Sequence, residues 1–557
     1  MPPPTYVVSP TSLPLPHRNR LYNSTMDPSD DLSSLQSQAH AQVLHLQGQL
    51  TALPPSAETQ DLLQVLHLHA GQLQACHTPL NPFIMIGFFH TVLKLLAQLT
   101  ECAGQRSSKA RENLIVNTAK LNAMVSSWDR AAYETPSDDL LALPRDHERW
   151  KRLSEHTEIR AANDPAAQRS FIQDAYKSAI WAHAFISKGQ QYKDPTMRKI
   201  MTGFYVFYYS LNAQAAYHQA RLNFASPPLD SIVTLARAQD SVLARALLTN
   251  PLKTECNRLV YLCRQSSRMV EKPESETIPV RVVSASRIAF QKSLEPALFP
   301  LPQDPTLPST RPNKVVLHVH GGGFMSMSTA LYVSYLQKWS LDISGAVFFS
   351  VDYRLAPENP YPAGLDDVWQ TYKWLVNEVR EELDIDTTKI LVMGDSAGGH
   401  LAIGCVLRAI QAGIRVPDGL VLPYPPLNMD PDHYTPSFTL SLDDMVMNYT
   451  FLKSCQAAYV QSSALDPRND PFLSPASASL DLLRQFPPTR ILVGTLDPLM
   501  DDCLRFAERL LEAGVDTRLS LFEGAVHGGP RDLVKIENED VKALPQRTSN
   551  YLQELLS

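Results

Sequence analysis

Ile390-Leu391-Val392-Met393-Gly394-Asp395-Ser396-Ala397-Gly398-Gly399-His400 is the stretch on which the reading of this chain turns. The apolar run 390–393 has the length and composition of a buried strand, and the segment 399–412 reads as a helix. Between them a G-x-S-x-G turn forces its serine into a strained elbow, with the hydroxyl exposed above the sheet. The glycines leave room where strand and helix crowd together. Alone the pattern is modest, since about 0.07 copies arise by chance in a chain of this glycine and serine content.

Outward from the elbow, strand and helix patterns alternate. Residues 279–283, 314–319, 346–351, 420–422, 490–493 and 518–521 read as strands, and 329–341 and 365–381 as helices. Such alternation implies a mostly parallel sheet covered by helices on both faces. Ligands of such sheets bind beyond the carboxyl ends of the strands. Upstream the style differs. Only six of the 22 glycines precede residue 311. Residues 1–31, rich in Pro, Ser and Asp, read as a disordered tail, 32–272 as a helical domain, and 273–557 as the α/β domain, with a proline-rich linker at 296–312. The helical half holds two strongly apolar segments, 83–89 and 203–209, whose plain reading is buried helix and whose alternative is lipid contact.

Composition removes several classes of function. The chain has 557 residues, 50 basic and 57 acidic, for a formal charge of -7. That argues against a nucleic-acid partner. Seven scattered cysteines without a C-x-x-C pair argue against a disulfide framework or zinc ribbon and fit a reducing compartment. The N-terminus lacks the apolar core of a secretory signal, and the run 83–99 is interrupted by His90, Lys94 and Gln98. The expectation is a cytoplasmic protein. The sequence does not fix an oligomeric state.

A second motif, His320-Gly321-Gly322-Gly323-Phe324, follows the strand at 314–319. Its chance expectation is about 0.001, so it carries far more weight than the elbow alone. Consecutive glycines let backbone N–H groups converge on an oxygen that becomes negative in a tetrahedral intermediate. Gly321, Gly322, Gly323 and Ala397, the residue after the serine, are the expected donors. The serine also needs a base. Three histidines follow it, and His400 sits one turn into the next helix while His433 lies in an irregular stretch. His527 follows the strand at 518–521 and precedes Gly528-Gly529, which makes it the candidate base. The acid should follow the strand at 490–493. Asp497 is favoured there, with Asp501, Asp502 and Glu523 as rivals that suit helix capping instead.

Taken in order, His320 to Phe324, Tyr353-Arg354-Leu355-Ala356-Pro357-Glu358, Pro362-Ala363-Gly364-Leu365-Asp366-Asp367 and Gly394 to Gly399 resemble the hormone-sensitive lipase family. Arg415-Val416-Pro417-Asp418-Gly419, Asp470-Pro471-Phe472-Leu473-Ser474-Pro475 and Leu496-Asp497-Pro498-Leu499-Met500-Asp501-Asp502 resemble its long branch more than its short bacterial esterases. The resemblance implies an α/β-hydrolase fold and a carboxylic-ester hydrolase acting on lipid esters such as acylglycerols or sterol esters. It implies Ser396 as nucleophile, Asp497 as acid and His527 as base. His320, Asp395, Glu358 and Asp366 are expected to support the motifs, Glu358 and Asp366 as local hydrogen-bonding residues. No metal and no organic cofactor is expected. A cap inserted at about 425–465 and the N-terminal half would supply apolar walls for the acyl chain. The expected partners are a lipid ester and, peripherally, lipid droplets or membranes.

The sequence also departs from the family. The long branch's phosphorylated regulatory insertion is missing, since only 460–470 separates the flanking regions. Gly528-Gly529-Pro530 stands where Gly-Phe is usual, and His400 where asparagine is usual. Two alternatives follow: a soluble small-ester carboxylesterase or deacetylase, and a non-catalytic ligand receptor of the same fold.

Overall fold

The structure is a computed structural model. It describes residues 32–51, 147–163, 194–212, 254–264, 276–286, 312–431, 449–528 and 539–557, together with shorter stretches and single positions between them. The apolar segment 83–89 and nearly all of 1–31 and of the 296–312 linker lie outside these residues.

Eleven strands form one sheet. In chain order they are β1 Tyr6–Val7, β2 Thr157–Arg160, β3 Cys256–Cys263, β4 Met269–Val270, β5 Thr277–Ser284, β6 Lys314–Val319, β7 Ala346–Val351, β8 Lys389–Gly394, β9 Gly419–Pro423, β10 Thr489–Gly494 and β11 Thr517–Phe522. Their spatial order is β1-β2-β11-β10-β9-β8-β6-β7-β5-β3-β4. From β2 through β7 every neighbouring pair is parallel, and β5 turns the sheet antiparallel against β7 and β3. The central strands are buried on both faces, every residue of β7, β9 and β10 among them. This is the near-continuous apolar pattern that a helix-covered parallel sheet demands.

The described helices include α1 Leu32–Thr51, α2 Glu148–Glu155, α3 Pro195–Leu211, α4 Val333–Asp342, α5 Ala363–Asn377, α6 Ala397–Gln411, α7 Tyr449–Tyr459, α8 Met500–Glu512 and α9 Glu539–Leu556. Helix α6 runs off the elbow with its first turns wholly buried, packed on α5, β6, β8 and β9. Helix α9 lies against β8, β9 and β10, where its Tyr551 is fully buried.

Three findings differ from the sequence reading. The sheet draws β2, β3 and β4 from the stretch expected to be helical, so the boundary at 272 does not separate helix from sheet. β3 carries a strand pattern, with Cys256, Val260 and Leu262 buried and Leu259 exposed, but in the sequence a long helix-like pattern precedes it and hides it. β2 is only four residues long, and the charge of Glu158 and Arg160 masks it. The second apolar segment is not core. Along α3 the residues Met197, Ile200, Phe204, Phe207 and Leu211 recur on one face and are exposed, Phe207 by 66%. Tyr209, on another face, is buried. Among the described residues no helix is long and apolar enough to cross a membrane.

Candidate active site

Strand order sets the geometry of the site. Its loops leave the carboxyl ends of β6, β8, β10 and β11, and β6 and β8 are direct neighbours in register from Val319 to Gly394. The glycine loop after β6 therefore lies beside the serine elbow after β8. β11 stands three strands from β8, roughly 14 Å away at normal strand spacing. The loop after Phe522 spans that distance back toward the serine, and the turn after β10 lies between them.

Ser396 has φ 52° and ψ −128°, a conformation that side-chain-bearing residues rarely hold. Its N–H donates to Pro423 O at 3.0 Å, and the Gly398 N–H to Asp395 O at 2.9 Å. Close backbone approach dictates the flanking glycines. A Cβ on Gly398 would fall 2.0 Å from Val319 O, and one on Gly394 2.3 Å from Gly398 O.

His527 bridges two partners. Its Nε2 lies 3.0 Å from Ser396 Oγ, and its Nδ1 lies 2.9 and 3.1 Å from the two carboxylate oxygens of Asp497. All three side chains are largely buried, Asp497 almost fully. Asp497 Oδ1 also accepts the Leu499 N–H at 2.9 Å, which fixes the carboxylate plane. The Tyr424 ring lies 4.8 Å from the imidazole, and its hydroxyl donates to Gly528 O at 3.3 Å. Gly529 and Pro530 lie outside the described residues.

The rival residues are engaged elsewhere. His433 Nε2 lies 2.9 Å from Asp502 Oδ1, so one rival base pairs with one rival acid. Burial would raise the Asp502 carboxyl, but His433 and Arg505 overcome it and hold the pKa below the usual range. Asp501 Oδ2 accepts the Ser437 N–H at 2.6 Å, and burial pushes its carboxyl up. His400 places Nδ1 3.0 Å from Pro426 O and Nε2 3.0 Å from Phe472 O. Its complete burial outweighs both carbonyls and pushes its pKa down to about 4.

In the glycine loop, Gly322 and Gly323 have φ 115° and 61°, followed by Phe324 at 63°. A Cβ on Gly322 would meet Ser326 O at 2.3 Å. Among the described residues no acceptor takes the N–H of Gly322, Gly323 or Ala397. Gly321 differs, which corrects the expectation that it is a donor to the site. Its N–H donates to Tyr332 Oη at 3.0 Å and Asp395 Oδ1 at 3.2 Å, while the Tyr332 hydroxyl donates to Asp395 Oδ2 at 2.8 Å. Asp395 is therefore a brace between elbow and glycine loop. Tyr332 was invisible in the sequence, where it sat inside an ordinary helix pattern.

Of the other supporting residues, His320 stacks on Tyr353 with ring centroids 4.3 Å apart, and Tyr353 Oη donates to His320 O at 2.9 Å. Asp366 pairs with Arg408 of α6 at 2.6 Å. Contrary to the expectation of a local bond, Glu358 is held by a distant residue, Arg237, at 2.6 and 2.8 Å.

Ser396 and Ala397 open onto a cleft that is continuous with solvent. Its walls are mostly apolar, with Phe324, Met429, Phe438, Met447, Leu452 and Leu499 among the lining residues and His433, Lys453 and Asp502 as polar members. The lining runs from Gly323 to Asp502, so the wall expected from the N-terminal half is not among the described residues. No group of three or more His, Cys, Asp or Glu side chains among the described residues is placed to hold a metal ion.

A family model and several known proteins match parts of this chain. Residues 316–530 match a family model described as the alpha/beta hydrolase fold. The chain is 36% identical over 179 residues to human hormone-sensitive lipase, covering 32% of this chain and 16% of the lipase. The match to the mouse lipase is 37% over 178 residues and covers 23% of that protein. It is 30% identical over 304 residues to Esterase LipI of Mycobacterium tuberculosis, covering 54% of this chain and 91% of the esterase. Among solved structures, an esterase from Pseudomonas putida matches at 22% identity with a TM-score of 0.48, covering 60% of this chain and 93% of that one.

Strand order and family model together define an α/β hydrolase fold. The chain belongs to the hormone-sensitive lipase family. It spans less than a quarter of the human and mouse lipases it matches, and about nine-tenths of the bacterial esterase.

Proposed function

We propose that Ser396, His527 and Asp497 form the catalytic triad of this ester hydrolase. The observation that carries the reading is the bridging imidazole, one nitrogen on the serine hydroxyl and the other on a buried carboxylate. His527 takes the Ser396 proton as Oγ attacks the ester carbonyl, and Asp497 stabilises the imidazolium and fixes its orientation. The carbonyl oxygen becomes an oxyanion held by the N–H groups of Gly322, Gly323 and Ala397, which have no other acceptor among the described residues. As the tetrahedral intermediate collapses, His527 returns the proton to the departing alkoxide. Water, deprotonated by His527, then attacks the acyl-enzyme and releases the carboxylic acid.

The substrate class we propose is a lipid ester. The apolar walls of the cleft support it, and residues 426–456 of the expected cap supply most of them. The exposed face of α3, with Phe204, Phe207 and Tyr208, is suited to seat on a lipid surface, since aromatic side chains favour the membrane interface. A small-ester carboxylesterase is the second reading. It is favoured by the near-complete coverage of Esterase LipI and of Carboxylesterase NlhH from the same bacterium, 91% and 90%.

One assay separates them. Purified protein, Ser396→Ala and Phe207→Glu are compared on a soluble short-chain ester and an emulsified long-chain diacylglycerol. The triad reading expects Ser396→Ala to lose both activities by at least about a thousandfold. The lipid reading expects turnover of the emulsion, lowered several-fold in Phe207→Glu while the soluble ester is unaffected. Activity confined to the short ester selects the carboxylesterase. Residual activity of Ser396→Ala within tenfold of the parent refutes the triad.

A further inference from the structure

We propose that Arg237 is a positioning residue for the oxyanion loop, reaching it from the chain segment that precedes the central strands. The inference rests on the reading above, in which the N–H groups of Gly322 and Gly323 hold the oxyanion.

The guanidinium makes four hydrogen bonds, and each partner belongs to the loop or to the turn packed beneath it. Nε donates to Met325 O at 2.8 Å, and Nη2 to Ala356 O at 3.0 Å. Nη1 and Nη2 donate to the two oxygens of Glu358 at 2.8 and 2.6 Å. Met325 follows Phe324 directly, and Phe324 O accepts the Ala356 N–H at 2.9 Å. A single planar fork therefore ties together the two chain segments that already meet at Phe324 and Ala356, and it comes from 88 residues earlier in the sequence than Met325.

The loop needs such a clamp. Gly322, Gly323, Phe324 and Met327 all have positive φ, and Phe324 and Met327 carry side chains. Backbone held in sparsely populated regions persists only where its surroundings over-determine it. Inside the loop, the bonds from Met325 N, Ser326 N and Ser326 Oγ all end on one acceptor, Gly322 O. They close the turn on itself without fixing it relative to the sheet. Tyr332 and Asp395 hold its start at Gly321, and Arg237 holds its far side at Met325. Glu358 fixes the plane of the guanidinium, and that ion pair lowers the Glu358 carboxyl pKa and raises that of Arg237. Lysine has no fork and reaches one carbonyl at most.

Losing the clamp displaces the oxyanion donors without removing them. A removed donor typically costs ~10²–10³ in rate, so displacement is expected to cost about tenfold. Because the oxyanion exists only in the transition state, the loss belongs in kcat and not in KM.

The test uses the full chain with Arg237→Ala, Arg237→Lys, Glu358→Gln, Gly323→Ala and Ser396→Ala. Each is assayed on soluble acetyl and hexanoyl esters, with a trifluoromethyl ketone as the probe of oxyanion binding. For Arg237→Ala we expect kcat to fall about tenfold on both esters with KM within twofold, and the ketone to bind more weakly by the same factor. Free guanidinium should restore part of the rate in Arg237→Ala and none in the parent, and Glu358→Gln should lose about threefold. A Tm shift with unchanged kcat and ketone affinity would make Arg237 merely structural and overturn the proposal. So would a loss that grows with acyl length. If Arg237→Ala does not fold, Arg237→Lys and Glu358→Gln decide by the same criteria. If Ser396→Ala or Gly323→Ala keeps full activity, the site reading itself is wrong. If both lose activity while the Arg237 and Glu358 variants behave as the parent, only this inference fails.

Discussion

His400 lies one turn past Ser396, and its burial couples the stability of the fold to acid. It is buried against the glycine loop, edge-on to Phe324 at 5.4 Å and to Tyr459 at 5.9 Å, while Phe324 and Tyr459 stack at 3.9 Å. Burial holds its pKa at about 4 against the ordinary 6.5. The unfolded chain therefore binds a proton that the folded chain refuses between pH 6.5 and 4. Stability is full above pH 6.5 and falls as the pH drops through that window, by about 2 kcal/mol at pH 5. His400→Asn should remove this slope, so its Tm should change less between pH 7.5 and 5 than the parent's. Equal shifts in the two proteins would refute the assignment. The sequence excluded His400 as the base from its position alone, and the structure gives the reason in its two carbonyl contacts. It also marked Ser396, Asp497 and His527, because motif, strand end and chain order converge on them. It did not reveal that Gly321 turns its N–H to Tyr332 and Asp395, nor that Glu358 meets Arg237. Those facts depend on which way one peptide faces and on a contact between distant segments, and neither leaves a periodic trace.

Helix α8 shows how an element of the site is tied to the N-terminal half. Its first turns follow the Asp497 loop, and its far end carries Glu508, which is fully buried. Arg149 of α2 reaches one carboxylate oxygen at 2.5 Å, and Arg152, one turn later, reaches the other. Both arginines lie on the face that α2 packs against α8. Breaking a buried pair by removing one partner typically costs 3–5 kcal/mol, because the remaining charge is left without compensation. Here the arginines retain some contact with solvent. Glu508→Gln is therefore expected to cost about 2–3 kcal/mol, read as a lower midpoint in urea with an unchanged slope. A midpoint within error of the parent's would show that α2 is held by its apolar contacts alone. Elements of this kind were unevenly legible. The central parallel strands announced themselves as unbroken apolar runs at nearly the observed bounds. α9 went unread, with Pro545 inside it and no motif to mark it.

At the scale of the whole molecule the sheet extends past the α/β region at both ends. β2 adds in parallel to β11 from Thr157↔Leu519 to Arg160↔Phe522, and β3 adds antiparallel to β5 along all eight residues. Both additions come from before residue 273, where the sequence reading placed the start of the α/β domain. A fragment beginning at residue 273 would leave the length of β5 and of β11 unpaired on one side. Unpaired strand edges template association with other chains. β11 is the more exposed case, because β2 covers it with charged side chains: Glu158 pairs with Arg160 at 2.9 Å and with Arg547 of α9 at 2.5 Å. The β11 edge also leads directly into the loop that carries His527, so fraying there moves the proposed base away from Ser396. Three fragments beginning at residues 140, 254 and 273 separate these effects. The first retains β2, β3 and β4, the second β3 and β4 only, and the third none of them. We expect only the first to keep turnover of a short soluble ester, and the other two to associate in size-exclusion chromatography, the third most strongly. The first also lacks α1 and so tests whether α1 is dispensable. Full activity and a monomeric profile for the fragment from 273 would instead show that its central strands are self-sufficient and that β2 and β3 are additions the site does not need.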